Sequence, residues 1–250
     1  MEQKYFKTWS KNLNREMEYK IYGNAGRSVL VFPSQDQRFF EWEDNGMIEV
    51  LQPMIDSGEI RLICCDSIDV ETWSLSEGDQ HERISLHERW YNYIISELIP
   101  QVRRGNETFI ATGCSMGGYH SGNIFFRRPD LFDTLLSLSG LFHADYFFPH
   151  YNDELIYRNS PIDFLQNISA DSDLVHQYRE KRIICCCGQG EYEGITSAST
   201  LRLGHILQNL NVDGWFDLWG SDVSHDFFWW RKQASYFFND IIHGQLALAA

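Results

Sequence analysis

The run Phe109-Ile110-Ala111-Thr112-Gly113-Cys114-Ser115-Met116-Gly117-Gly118 contains G-x-S-x-G between an apolar strand-like segment and a helix-like one. A strand-to-helix turn of this kind lifts a serine hydroxyl clear of the chain and places it at a helix N-terminus, where a nucleophile can work. The turn demands strained backbone angles and a close approach of neighbouring chain, so glycine at 113 and 117 answers a steric requirement. Ser115 is therefore the candidate nucleophile. Cys114 leaves the same turn in another direction and reads as a buried structural thiol.

A serine hydroxyl attacks well only when an imidazole takes its proton. Around this turn the partners follow in the order Ser, Asp or Glu, His. Of the histidines downstream, His225 is the one that follows the last strand-like run and precedes the last helix-like one, so it is the expected base. His120 lies one helical turn beyond the nucleophile and reads as packing, His205 falls inside a helix, and His243 is near the end of the chain. The acid is expected after the preceding strand, where Ile183-Ile184-Cys185-Cys186-Cys187-Gly188-Gln189-Gly190-Glu191 ends an apolar run with a glycine turn and a carboxylate. Glu191 is the first choice; Glu193 and Asp222 stay open, because the turn length decides which side chain reaches. An oxyanion needs backbone donors. Those expected are the amides of Met116, after the nucleophile, and Gln35, in the loop after Val29-Leu30-Val31-Phe32-Pro33.

Short β-like runs alternate with helix-like stretches, the signature of a mostly parallel sheet with helices on both faces. Strands are expected at 17–22, 28–33, 59–66, 107–112, 134–138, 182–187 and 214–219, several of them continuously apolar as strands buried on both faces are. Helices are expected at 46–57, 82–103, 116–128, 197–209 and 227–242. The fold class is α/β, of the α/β-hydrolase type, and residues 1–250 read as one domain with an irregular, aromatic-rich insertion at about 141–180. Tyr146 and Phe147 in that insertion, with Trp229, are the expected substrate-binding side chains, suited to an apolar or aromatic group.

Composition narrows the partners. A net charge of −14 over 250 residues repels polyphosphate backbones and anionic membrane surfaces, and no run is apolar for long enough to span a bilayer. No nucleic-acid or membrane partner is expected; a small-molecule ester is, and self-association stays open. The first residues carry no secretory signal pattern, and the six cysteines sit inside apolar runs rather than spaced as a disulfide framework, so a cytoplasmic location is expected. Cys185, Cys186 and Cys187 are consecutive on a strand and point alternately to opposite faces, so they do not converge on a metal. No metal or cofactor is expected.

Three local patterns resemble the esterase family that includes esterase D, feruloyl esterases, enterochelin esterases and the mycolyltransferases. They are G-C-S-M-G-G at 113–118, R-P-D-L-F with S-L-S-G at 128–132 and 137–140, and H-D-F-F-W-W at 225–230. The last is similar to the histidine-plus-aromatic pattern of the mycolyltransferase branch, and the resemblance spans about 19–238. It departs where the family often has His-Gly in its oxyanion loop, here Pro33-Ser34, and where aspartate is the common acid. The resemblance implies ester hydrolysis, and the residues read above add a Ser-His-Glu triad acting through an acyl-enzyme. Acyl transfer to an alcohol or sugar is the alternative, and a non-catalytic binding protein on the same fold is another.

Overall fold

Valine, isoleucine, leucine, phenylalanine and cysteine fill the segments read as strands, and these assemble into one eight-stranded sheet. The computed structural model describes residues 1–244. The strands are β1 (Gln3–Ser10), β2 (Arg15–Tyr22), β3 (Arg27–Phe32), β4 (Ile60–Cys65), β5 (Phe109–Cys114), β6 (Phe132–Leu138), β7 (Arg182–Cys187) and β8 (Trp215–Leu218). Their order across the sheet is β1-β2-β4-β3-β5-β6-β7-β8. β2 runs antiparallel to both its neighbours, and every pairing from β4 through β8 is parallel.

The interior strands bury both faces, and the two-residue period divides their side chains between two cores. Leu30 and Phe32 of β3, Phe109 and Ala111 of β5, and Ile183 and Cys185 of β7 join one core. Val29 and Val31, Ile110 and Cys114, and Ile184 and Cys186 of the same strands join the other. The helices are α1 (Glu41–Asp44), α2 (Met47–Asp56), α3 (Gln80–Tyr93), α4 (Ile99–Val102), α5 (Met116–Arg127), α6 (Glu154–Arg158), α7 (Pro161–Leu165), α8 (Asp173–Tyr178), α9 (Gly194–Asn209) and α10 (Phe227–His243). Trp90 of α3, Phe125 of α5 and Leu203 of α9 cover the first core, whereas Leu51 of α2 and Phe237 of α10 cover the second.

Three features differ from the sequence expectation. β1 was not expected, because as an edge strand it is largely exposed and its apolar alternation is weak; it pairs with β2 alone, from Gln3 opposite Tyr22 to Ser10 opposite Arg15. The helix expected at 82–103 runs from 80 to 102 with a π-helical turn at Ile94–Leu98 between α3 and α4. Pro100, which has no N–H to give, follows directly on that wider turn. The segment 141–180 contains α6, α7 and α8, short helices with too few residues each to show a period.

The end of α5 farthest from Ser115 is fastened by charge. Arg127 donates to Glu88 at 2.7 and 3.0 Å and to Asn159 Oδ1 at 2.7 Å, with its guanidinium over the Tyr91 ring at 3.6 Å. This joins α5 to α3 and to the segment after α6. Among the described residues no helix is long and apolar enough to cross a membrane.

Leu136, with no exposed surface on β6, lies in the core under α2 and α10. Leu136→Ala should lower the free energy of unfolding by about 2–5 kcal/mol, through lost burial and the cavity left behind. Urea unfolding followed by fluorescence measures it.

Candidate active site

Ser115 begins α5 with φ 57° and ψ −119°, a backbone conformation that L-residues other than glycine rarely hold. Its amide donates to the carbonyl of Leu138 on β6 at 2.8 Å, which ties the turn to the sheet. A Cβ on Gly113 would stand 2.4 Å from the Gly117 carbonyl carbon, and a Cβ on Gly117 would stand 2.2 Å from the Phe32 carbonyl oxygen. Both positions are closed to any side chain. β3 pairs with β5 at this point, Phe32 opposite Gly113, so the loop leaving β3 comes out beside the serine turn.

Across the sheet edge, Ser115 Oγ lies 2.8 Å from His225 Nε2. His225 sits in the loop between β8 and α10. On its other side the nearest carboxylate is that of Glu193, with Oε2 3.2 Å from Nδ1 and off the line of a well-aligned hydrogen bond. Glu193 has no exposed surface. Its Oε1 accepts from Ser139 Oγ at 2.6 Å and from the Gly188 amide at 3.3 Å, and its Oε2 accepts from Thr196 Oγ1. Burial alone would raise the pKa of this carboxyl, but hydrogen bonds from His225, Ser139 and Thr196 outweigh it, and the group is held below the usual carboxylate range.

Glu191, the acid expected from the sequence, is displaced by this arrangement. Its side chain is exposed, and only its backbone takes part, the carbonyl accepting from the His225 amide at 3.0 Å. The reason is the length of the turn after β7. Gly188 and Gly190 press against Val223, where a Cβ would stand 2.0 and 2.7 Å from its carbonyl oxygen, and Gly190 donates to that oxygen at 2.9 Å. The chain therefore runs along the 220–223 segment before it turns inward, through Tyr192 at φ 64°, into Glu193 at the head of α9. Asp222, the other open alternative, is exposed.

Two residues near the imidazole were not singled out from sequence. Trp230 packs edge-on to the His225 ring at 4.8 Å and donates from Nε1 to Ser139 Oγ at 3.0 Å. Ser139, buried and at φ 53°, donates its own hydroxyl hydrogen bond to Glu193 Oε1 at 2.6 Å. Both lie within the H-D-F-F-W-W and S-L-S-G patterns, so the signal was present without a role attached.

Ser115 and His225 open onto a cavity of about 540 Å³, walled also by Gln35, Met116, Tyr146, Phe147, Tyr192 and Ile195. The backbone amides of Gln35 and Met116 donate to no described residue, the first because its loop turns away from the sheet and the second because it is the first residue of α5. The Gln35 side chain reaches Ser74 Oγ at 2.9 Å, and the neighbouring Ser34 amide donates to the buried Glu41 carboxylate at 2.8 Å. Tyr146 and Phe147 meet edge-to-face at the rim. Trp229 does not join them: it lies on α10 outside the cavity walls, under Lys232 Nζ at 4.3 Å. Its backbone amide donates to Asp226, the cap of that helix, at 3.1 Å.

All six cysteines are buried free thiols, and burial pushes each of them well above the usual thiol range, Cys187 to about 12. Cys185 and Cys186 enter opposite cores. No group of three or more potential metal ligands occurs among the described residues. His120 is buried on α5 and contacts Asp69 at 2.9 Å rather than Ser115.

The model of the "Putative esterase" family matches residues 10–235. The chain belongs to this family. It is thus a carboxylic ester hydrolase, and the solved structures it matches carry the same fold. A ferulic acid esterase is 15% identical, with 96% of this chain and 97% of that one covered at a TM-score of 0.73. The fluorophosphonate-binding serine hydrolase F of Staphylococcus aureus is 13% identical, with 97% and 98% covered at 0.71. An S-formylglutathione hydrolase, also of Staphylococcus aureus, is 14% identical, with 97% of each chain covered at 0.71. At such identities the likeness establishes the α/β-hydrolase fold and nothing about the substrate. No curated protein matches this esterase in sequence.

The placement of the two carboxylates gives a direct comparison. Glu193→Gln removes the negative charge beside the imidazole and should lower kcat for ester hydrolysis by about 10⁴-fold, as loss of the orienting carboxylate does elsewhere. Glu191→Gln should leave kcat within about twofold, since its carboxylate is solvated and makes no contact with the imidazole. Steady-state kinetics on a p-nitrophenyl ester distinguish the two.

Proposed function

We propose that this esterase works through an acyl-enzyme on Ser115, with His225 as general base and Glu193 as the carboxylate that orients it. The observation that carries the reading is the 2.8 Å contact between Ser115 Oγ and His225 Nε2 at the mouth of the cavity. Oγ attacks the ester carbonyl while Nε2 takes its proton, and the carbonyl oxygen gains charge as the carbon becomes tetrahedral. The Gln35 and Met116 amides are free to donate to that oxygen, and the positive end of α5 adds to the field. His225 then returns the proton to the departing alcohol. Water, deprotonated by the same imidazole, releases the acid and restores the serine. Glu193 stays ionised throughout, because its hydrogen bonds hold its pKa low, and it compensates the imidazolium that forms twice in each turnover.

Among the described residues the cavity walls carry no lysine, arginine, aspartate or glutamate, and Leu141, Tyr146, Phe147, Tyr192 and Ile195 give them an apolar and aromatic character. That suits an uncharged ester with an apolar or aromatic acyl or alcohol group, since a charged group would lose hydration there without a partner. Self-association and cellular location do not enter this reading.

A panel of p-nitrophenyl acyl esters and methyl cinnamates, set beside a hemisuccinate ester that carries a free carboxylate, tests both parts. The neutral esters should exceed the anionic one by about tenfold or more in kcat/KM, a desolvation penalty of modest size. Ser115→Ala should reduce turnover of all of them by about 10⁴-fold or more with the thermal unfolding midpoint unchanged. Turnover that survives in folded Ser115→Ala would remove the serine from the reaction, and equal rates on the anionic ester would remove the neutral-substrate assignment.

A further inference from the structure

Glu41 stands out among the buried groups that the mechanism does not use. It is 4% exposed and makes no ion pair among the described residues. Its carboxylate accepts from the backbone amide of Ser34 at 2.8 Å, and the Ser34 hydroxyl stands close enough to act on it too. Burial pushes its pKa up to about 7, against the pull of Ser34 and with the nearby negative charge of Asp69 adding to the rise. Cys114, the residue before the nucleophile, is close enough to feel the same charge. A leucine here would avoid this desolvation, so the fold retains a carboxyl at a cost, and what that carboxyl holds is Ser34.

That amide precedes Gln35 by one residue. The loop from Pro33 to Gln35 has a contact on each side. Behind it lies Gly117, so close that a Cβ there would stand 2.2 Å from the Phe32 carbonyl oxygen and 2.8 Å from that of Pro33. In front the Gln35 side chain reaches Ser74. Between these, the Ser34 amide is held by Glu41, the Ser34 carbonyl, in the same peptide unit as the Gln35 amide, accepts from the Gln37 amide at 3.1 Å, and two residues beyond Ser34 the chain turns sharply at Asp36, φ 62°. Withdrawing the acceptor would leave a buried N–H without a partner, and the peptide planes that aim the Gln35 amide would turn to find one.

We propose that Glu41 is a positioning residue for the oxyanion site: by holding the Ser34 amide it sets the direction of the Gln35 amide next to Ser115. The proposal rests on the reading of Gln35 as an oxyanion donor. The protonated carboxyl also presents a carbonyl oxygen to Ser34, so the role holds on either side of its pKa. An amide side chain of the same shape should serve as well.

The test is kinetic, on the full chain. An amide that misses the oxyanion weakens the transition state more than the bound ester. Glu41→Ala should therefore lower kcat on a neutral p-nitrophenyl ester by about 10- to 100-fold, less than the loss of a whole donor, with KM within about twofold. Inhibition by phenylboronic acid, which forms a tetrahedral adduct on an active serine, should weaken in step with kcat. Glu41→Gln should restore both to within about threefold of the parent protein, since it keeps an acceptor oxygen in place. Where Glu41→Ala does not fold, Glu41→Asp, which draws the carboxylate back by one methylene, should show the same loss of kcat at unchanged KM. Folded Glu41→Ala or Glu41→Asp with the parent kcat overturns the proposal, and so does Glu41→Gln as slow as Glu41→Ala, or a loss confined to KM. Ser115→Ala assayed alongside separates the two readings: if it keeps the parent rate, the serine mechanism fails, whereas a dead Ser115→Ala beside a fully active Glu41→Ala defeats only the role of Glu41.

Discussion

The contact between the end of β3 and the beginning of α5 is the constraint on which the site depends. The Phe32 carbonyl oxygen occupies the space where a side chain at 117 would begin, and the Gly117 backbone occupies the space where one at 113 would begin. Two adjacent parallel strands, one entering a helix and the other a loop, can come this close only when both positions are glycine. Ser115 accepts an unfavourable backbone conformation between them because the Leu138 carbonyl and the first turn of α5 hold it on either side. The approach puts a helix N-terminus, a serine hydroxyl and the Pro33–Gln35 loop within one small volume. None of these could be moved without opening the strand pair.

The other half of the site is assembled from the loops after β7 and β8, which brace each other. Gly190 bonds to Val223, and the Glu191 carbonyl receives the His225 amide, so the loop that leads to Glu193 and the loop that carries His225 meet through the backbone before their side chains do. A chain of side chains then runs from Trp230 through Ser139 to Glu193 and on to His225. Each member is buried or nearly so; Trp230, Ser139 and Glu193 are joined by hydrogen bonds, and Glu193 meets His225 through a 3.2 Å charge contact. Such an arrangement fixes the imidazole by packing and by charge together, and the partly buried Ser–His contact is where it becomes accessible to a substrate.

Much of this was legible in the sequence because the signals were local. Continuous apolar runs at 28–33, 107–112 and 182–187 have no structural alternative of the same length, and they became β3, β5 and β7 to within two residues at each end. The G-x-S-x-G turn carries its own steric logic, and the position of His225 follows from chain order. The misses arise where geometry is set by something distant. β1 borrows its structure from β2 and has no strong pattern of its own. Glu191 and Glu193 have the same chemistry two residues apart, and the contact of Gly188 and Gly190 with Val223 decides between them; a residue thirty positions downstream is invisible to local reading. Trp229 and Trp230 are adjacent and alike, and the helix phase of α10 turns the second toward the imidazole and the first toward Lys232. Glu41 has no sequence signal at all, since a carboxylate in the first turn of a short helix reads as surface charge.

The proposed mechanism requires that Ser115 be an activated nucleophile and that His225 activate it. Reaction of the purified protein with a fluorophosphonate, followed by intact mass and peptide mapping, addresses that requirement without any choice of substrate. A single adduct on Ser115, with labelling abolished or slowed by orders of magnitude in His225→Ala, is the predicted result. No adduct on the folded protein, or one that forms equally fast without His225, would contradict it.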